Sequence, residues 1–544
     1  MLLLTMNIII YGQQEEALVY LEHSETLNFD DAAYPGAQLL KGNVRFRHED
    51  ALMFCDSAYF YEGSNSLDAF GHVKLIQGDT LAGYGDILYY DGSTKLARFR
   101  RNVKLVHTGM TLTTDSLNYD RSEDIAWYYT GGVLEDSVNT LTSIWGQYTP
   151  PNHQALFKQS VHLINDKFIL DADSLKYNTE TNIADIIGET DIVYEEETNI
   201  HSTAGHYNTR SEQSTLLNRS QVIHKDGKTL TADTIFYDKA CGIGDLRSNF
   251  EMKDTVQKAT LYGNFGFFWE SDKRGYATDS ALLIDWSTDD WLYIHADTLY
   301  TEQVPDTIPD SLYRQVRAYY GVRVYRSDMQ AVCDSLRFNG RDSIISLYYA
   351  PIVWSDEQQI SSDSIHVYMK NGSVEHLHGL GKSIAIQYDG EDNYNQMSGK
   401  EILAFVRDGE LREVHVNGNA QTIYYPHEDE DEGEPVGVNK TESSYVKLYI
   451  VNRKIDHILF TAAATGAVYP LDQIAKSDTR LELFFWADDK RPRLPGDVFS
   501  STGQTTLKPP GDVLIPEAMD NDVNENIKNK ITENIKDKIK GKIE

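Results

Sequence analysis

"LTADTIFYD", Leu230 to Asp238, sets a carboxylate, Asp233, inside an otherwise apolar and aromatic run. Such a residue serves either chemistry or the backbone, and the recurrence of the phrase decides between them. Close variants stand at "LTTDSLNYD" (Leu112 to Asp120) and "LDADSLKYN" (Leu170 to Asn178). Aligned along the chain, the Asp position falls on Asp56, Asp86, Asp115, Ile144, Asp173, Thr203, Asp233 and Leu261. Four residues after each stands an aromatic: Phe60, Tyr90, Tyr119, Tyr148, Tyr177, Tyr207, Tyr237 and Phe265. Eight matches at a period of about 30 residues define a repeat array. Ile144 and Leu261 could neither ligate a metal nor transfer a proton, so the recurring Asp reads as a backbone device.

A second marker runs in fixed phase about a dozen residues earlier: "GNVRF" at Val44, "GHVKL" at Val73, "RNVKL" at Val103, "GGVLE" at Val133 and "QSVHL" at Val161. Each unit reads as a turn, a strand such as "VKLVH", a second strand with the Asp phrase, and a short returning strand. Alternation slips by one residue within the phrase. In "ILDADSLKY" the apolar or small positions are Leu170 and Ala172, then Leu175 and Tyr177. A one-residue slip turns every later side chain to the other face unless the strand bends there. Asp and Ser suit such a bend because their side chains bond backbone groups freed by the interruption.

Looser copies follow at Asp279, Asp297, Asp334 and Asp363, which extends the array over residues 17 to 405. A terminal β module is expected over 406–495, interrupted by the acidic loop "HEDEDEGEP", and a linker and tail over 496–544. In that tail Val523, Ile527, Ile531, Ile535, Ile539 and Ile543 recur at every fourth position, as in an amphipathic helix. The apolar start of the chain, residues 1–12, reads as a clipped secretory signal.

Composition agrees with an all-β class: 34 tyrosines accompany Gly, Asn and Asp punctuation between short runs. The net charge of -33 repels nucleic acid. Cys55, Cys241 and Cys333 are too few and scattered for a disulfide framework. Neither a catalytic nor a metal site is expected, and no cofactor. "HGLGKS" (His378 to Ser383) lacks the first glycine of a phosphate-binding loop, and His376 with His378 lacks a third ligand.

The "GNV" turns and "ADTIFYD"-type strands resemble the OstA-like family, whose members include the periplasmic lipopolysaccharide-transport protein A. "IHADTLYT" (Ile294 to Thr301), "YRSDMQAVCDSLRF" (Tyr325 to Phe338) and "PIVWSDEQQISSDSIHVY" (Pro351 to Tyr368) extend the resemblance over roughly residues 17 to 495. It implies an elongated β-jellyroll of stacked antiparallel V-shaped strands enclosing an apolar groove for acyl chains. The expected protein is not an enzyme. It binds lipopolysaccharide in the periplasm, and its open sheet edges add to partner sheets of the inner- and outer-membrane transport components. With a chain this acidic, contact is expected through acyl chains, the anionic head groups staying in solvent or bridged by divalent ions. Interior candidates are Leu117, Tyr119, Leu175, Tyr177, Ile235, Tyr237, Leu336 and Phe338. The opposed reading of these eight is a closed core with no room for lipid. The repeat alone would equally serve a structural or adhesive β-solenoid at the cell surface. The chain is longer than the family's periplasmic member, and a large membrane barrel like that of its outer-membrane member, transport protein D, is not expected.

Overall fold

The computed structural model describes residues 17–29, 35–308, 311–370, 372–427, 435–452 and 454–499. The expected signal segment, most of the acidic loop and the tail from residue 500 lie outside them.

Among the described residues, thirty-four strands form one antiparallel sheet. Each long strand pairs with its sequence neighbours, as Phe168–Asn178 pairs with Gln154–Asn165 on one side and Ile183–Tyr194 on the other. Sequential hairpins therefore stack along one axis. Six layers are split into two short strands, such as Ile344–Tyr348 with Ile352–Ser355. That leaves about 28 layers, which at ~4.8 Å per layer extend on the order of 130 Å.

The strands bend where the sequence phase slips. In Phe168–Asn178 the buried residues are Phe168, Leu170 and Ala172, then Leu175 and Tyr177. Asp173 lies at the bulge, opposite Gln159 and Ser160 on one neighbour. Both of those residues adopt positive φ, 66° and 53°. The same pair of positive φ values recurs on alternate strands at Gly42-Asn43, Gly71-His72, Arg101-Asn102, Asn218-Arg219 and Ser248-Asn249. Each pair turns the strand without breaking its hairpin partnership.

The "GNV" marker is thus a mid-strand corner rather than a turn opening a strand. The sequence-level "third short strand" and the following "VKL" strand are the two arms of one bent strand, because two left-handed residues restore the inward phase beyond the bend. The final aligned copy is also corrected. Asn264, not Leu261, occupies the corner opposite Ser248-Asn249, and Phe268, not Phe265, is its inward aromatic. Among the later copies, Asp297, Asp334 and Asp363 lie at corners as expected, whereas Asp279 belongs to a positive-φ pair with Ser280 on the intervening strand.

The corner carboxylate bonds across to the pair that it faces. Asp56 Oδ2 lies 2.7 Å from His72 Nδ1, and Asp86 Oδ2 accepts from Asn102 Nδ2 at 2.7 Å. Asp233 Oδ2 accepts from Asn249 Nδ2 at 3.0 Å, and its other oxygen is 3.5 Å from Arg219. Its partners are corner side chains of neighbouring strands rather than its own freed backbone. "GLGKS" is another corner: Gly381 has φ 93°, and Asp363 Oδ2 accepts from the Lys382 backbone N–H at 3.3 Å.

One cluster of buried apolar side chains fills the inside of the V from Val19 to Ile450. A second layer covers part of the outside. Residues 470–499 run back across the outer face, burying Leu481 with Ile384, Ile386, Ile423, Tyr425 and Val438, and Ala487 with Ile352 and Trp354. Three glutamines hold this strap. Gln396 donates to the Thr479 carbonyl at 2.9 Å, Gln359 to that of Phe485 at 2.8 Å, and Gln330 accepts from Arg491 at 2.7 Å. Residues 491–499 lie against the sheet with Val498 fully buried.

Candidate functional site

Because each layer is a bent strand or a pair of short strands, hairpin turns alternate between two rims of the V. Turns at 78–80, 136–138, 195–197, 225–227 and 286–291 lie on the first rim, and those at 121–124, 150–153, 209–212, 239–242 and 270–273 on the second. From the side, the inside is reached between the rims.

Over the first part of the chain the rims are latched together. His48 Nδ1 lies 2.5 Å from the Tyr90 hydroxyl, and Arg121 donates to Asp50 at 2.6 Å. Tyr119 donates to Gln77 at 2.9 Å, and His107 Nδ1 lies 2.7 Å from the Tyr148 hydroxyl. Tyr177 donates to Asp136 at 2.6 Å and accepts from Asn139 at 2.8 Å. Further on, Lys167 pairs with Glu212, and Lys239 lies 3.8 Å from Glu195. Burial pushes the Tyr90 and Tyr128 phenols up to about 12 and drives the His48 and His107 imidazoles below their ordinary value. The His48–Tyr90 and His107–Tyr148 latches therefore join neutral rings in a water-poor seam, beside ion pairs such as Arg121–Asp50.

Lys239 apart, the rim pairs beyond residue 212 run along one side. Lys225 bonds Glu197 and Lys228 bonds Asp226, both along the first rim. Tyr237 donates to Glu270 at 2.5 Å along the second, and Trp286 Nε1 to Thr260 at 3.2 Å along the first.

Exposure of equivalent repeat positions follows this change. Three residues before the corner Asp, Met53, Leu112, Leu141 and Leu170 are 0–2% exposed, while Ile200, Leu230 and Leu261 are only partly buried. Two residues after the corner valine position, Phe46, Leu75, Leu105 and Leu163 are buried, but Val222, Met252 and Leu283 are partly exposed. Four residues after the Asp, Tyr90, Tyr119, Tyr148 and Tyr177 give way to the partly exposed Tyr207, Tyr237 and Phe268. At Ile294 the interior is buried again, at 6% exposure. The V is thus an open apolar trough over six strands, Thr198–Asn208 to Arg274–Asp285. Ala232, Ile235, Leu246 and Phe250 make its buried floor.

The eight sequence-predicted interior residues distribute over these regions. Leu117, Tyr119, Leu175 and Tyr177, at 0–1% exposure, pack in the latched stretch. Ile235 lies on the trough floor and Tyr237 at its mouth. Leu336 lines a small apolar cavity with Leu292, Ile294, Val324 and Val353, and Phe338 stands partly exposed two residues along the same strand. The trough residues Ile200, Val222, Leu230, Met252, Leu261 and Leu283 were missed as a group. Their signal lies at the strand ends, where His48, Gln77 and His107 give way to His224, Asp254 and Asp285.

The trough brings together aliphatic and aromatic side chains, and its chemistry is the burial of apolar surface. Among the described residues no group of three His, Cys, Asp or Glu side chains could hold a metal ion. His376 stacks on Tyr368 at 4.1 Å, Cys55 and Cys333 are buried, and Cys241 is exposed. Burial pushes the Cys55 thiol up to about 12.

Residues 16–173 match the OstA-like protein family. The match covers the array's beginning and most of its latched stretch, less than the span over which the resemblance was expected, and ends before the open trough. No curated protein matches the chain.

Proposed function

Starting from the OstA-like family to which residues 16–173 belong, we propose that this protein binds lipopolysaccharide through its acyl chains and shelters them on the way to the outer membrane. The observation that supports this reading is the change at equivalent repeat positions, from buried in Leu112 and Leu170 to partly exposed in Leu230 and Leu261. A protein that needed only a core would bury all four. Each methylene withdrawn from water is worth about 0.8 kcal/mol, so several acyl chains in transit would otherwise face tens of kcal/mol. A continuous apolar trough lowers that barrier without a chemical step.

Acyl chains enter between the rims over residues 198–285 and rest on the Ile235, Leu246 and Phe250 floor. Head groups stay outside, away from the acidic surface or bridged to it by divalent ions. Leu117, Tyr119, Leu175 and Tyr177 line the continuation of the same interior, and they meet lipid only where the latches part. The site of action is the periplasm. The end strands Tyr20–His23 and Thr26–Phe29, with Tyr20 and Phe29 more than half exposed, and Thr465–Tyr469 at the other end, offer edges for strand addition by membrane-anchored transport partners.

The test places a photo-crosslinking residue at Met252 or Leu230 in growing cells. Attached lipopolysaccharide is expected at both. Labelling only at an outward control such as Lys176, or surface display of a protein that captures no lipid, would favour the adhesive reading.

A further inference from the structure

We propose that the outer face behind the end of the trough carries a second binding site, an aromatic and arginine platform that takes the phosphorylated saccharide head group of the lipid whose acyl chains lie inside.

The pairing register traces one row of outward side chains along the arm that ends at the second rim. Through Lys176, Asp185, His206 and Thr215 the row is polar. It continues through Phe236 and Asp245 to Phe267, Tyr276 and Tyr300, and then to Arg317 and Arg337. The alternate residues Ala277, Leu299, Ala318 and Leu336 are buried on the inside, so this row faces out. A face that met only water would keep the polar pattern. The strap lies beyond the corner, on the other arm, where it meets Arg323 and His295.

The rings form one surface. Phe267 lies 4.6 Å from Trp269 and 6.2 Å from Tyr276, and the Tyr276 and Tyr300 rings are parallel to within 2°. The Arg274 guanidinium lies 4.5 Å over Trp269, and that of Arg317 lies 5.3 Å over Tyr300. Trp269, Tyr276 and Tyr300 keep part of their surface open. A pyranose ring offers C–H groups on its faces and hydroxyls at its edges, which suits flat rings bordered by guanidinium donors.

Two features call for an anion as well. Arg274 Nε is buried without a hydrogen-bond partner. Arg317 and Arg337 stand directly opposite on neighbouring strands, an arrangement of like charges that is unfavourable alone. Glu302 bonds Arg317, but among the described residues no carboxylate pairs with the exposed Arg337. A phosphate between the two arginines would satisfy both. Locally Arg247, Lys273, Arg274, Arg317 and Arg337 stand against Asp245, Glu270, Asp272 and Glu302, so the patch escapes the acidity of a chain at -33.

Position ties the platform to the trough. Trp269 and Arg274 flank the turn 270–273 on the second rim, and their strands are the last two of the trough. Phe268 points to the trough mouth while its neighbour Trp269 points out. At ~3.4 Å per residue, Tyr276 lies within ~10 Å of that rim, so a head group leaving the trough over it reaches the rings. The ligand's identity rests on the acyl-chain reading of the trough; saccharide binding itself does not.

The test is calorimetry on the full chain with deacylated, phosphorylated oligosaccharide prepared from lipopolysaccharide. Saturable binding is expected, weakened about tenfold by Trp269→Ala and several-fold by Arg337→Gln. The Arg337→Gln effect should vanish with the dephosphorylated oligosaccharide. Absence of saturable binding, or binding that neither substitution changes, would overturn the site. Complete displacement by an equal concentration of inorganic phosphate would reduce it to an anion site and overturn the saccharide assignment. A native dimer that Trp269→Ala turns into a monomer would overturn it in favour of a second copy. Lipopolysaccharide labelling from benzoylphenylalanine at Met252 keeps the two readings apart. Labelling without oligosaccharide binding sinks the platform alone. Trp269-dependent oligosaccharide binding without labelling sustains the platform and sinks the acyl-chain reading.

Discussion

Asp233 belongs to a device repeated along the molecule: a carboxylate bonded to a pair of left-handed residues on a neighbouring strand. Gly71 shows why its geometry is demanding. Its φ is 76°, and a Cβ there would lie 2.4 Å from Asp56 Oδ2. Gly71→Ala should therefore destabilise the local hairpins by ~1–3 kcal/mol, read as faster hydrogen exchange in strands 51–61 and 66–77. Asp56→Ala in the same chain should recover part of that loss, giving a non-additive cycle. Strict additivity would mean that the carboxylate and the corner are independent. The Asp phrase and the one-residue phase slip were legible in the sequence because period two is rigid in a strand. The partners of the Asp were not legible, because they stand about 16 residues away on another strand and include His72, Asn102 and Arg219 with no shared chemistry beyond donation. The slipped copy at Asn264 escaped because an aromatic, Phe265, happened to stand at the expected spacing.

At the scale of elements, the rim latches divide a uniform array into a closed and an open part. Leu175 and Met252 report the difference, one fully buried and the other partly exposed. Leu175→Ala should cost ~2–5 kcal/mol and Met252→Ala about 1 kcal/mol or less, measured by denaturant unfolding of the full chain. The latches also carry a pH dependence. Burial lowers the His48 and His107 pKa values, aided by Arg121 beside His48 and His153 beside His107. Unfolded, these histidines take protons at a higher pH than in the fold. Their contribution is therefore complete above about pH 6.5 and is lost as pH falls through the lower folded values. His295 and His366 act in the same direction, whereas His72 and His201, raised by Asp56 and Asp191, oppose it. The melting temperature should fall between pH 7.5 and 5.5, and His48→Gln with His107→Gln should flatten that fall. An unchanged slope would remove these two latches from the account.

At the scale of the whole molecule, the all-β class was readable from composition and the repeat with its bend from spacing, since each unit repeats the same local instruction, while the stacking of bent strands came from the family resemblance. The strap was not. Gln330, Gln359 and Gln396 look like ordinary polar strand residues, and only their contacts with residues 479–491 show why Trp354 and Ile384 are apolar on the outer face. The trough was half legible. Ile235 and Tyr237 were named, but which units open depends on pairings between turns about one and a half units apart, which no single repeat reveals. The central claim is that lipid meets this protein where the rims part and not where they are latched. Photo-crosslinking in growing cells with probes at Leu230, Met252 and Leu175 tests it directly. Lipopolysaccharide adducts at Leu230 and Met252, with several-fold fewer at Leu175, are the expected result. Equal labelling at all three, or adducts at Leu175 alone, would contradict it.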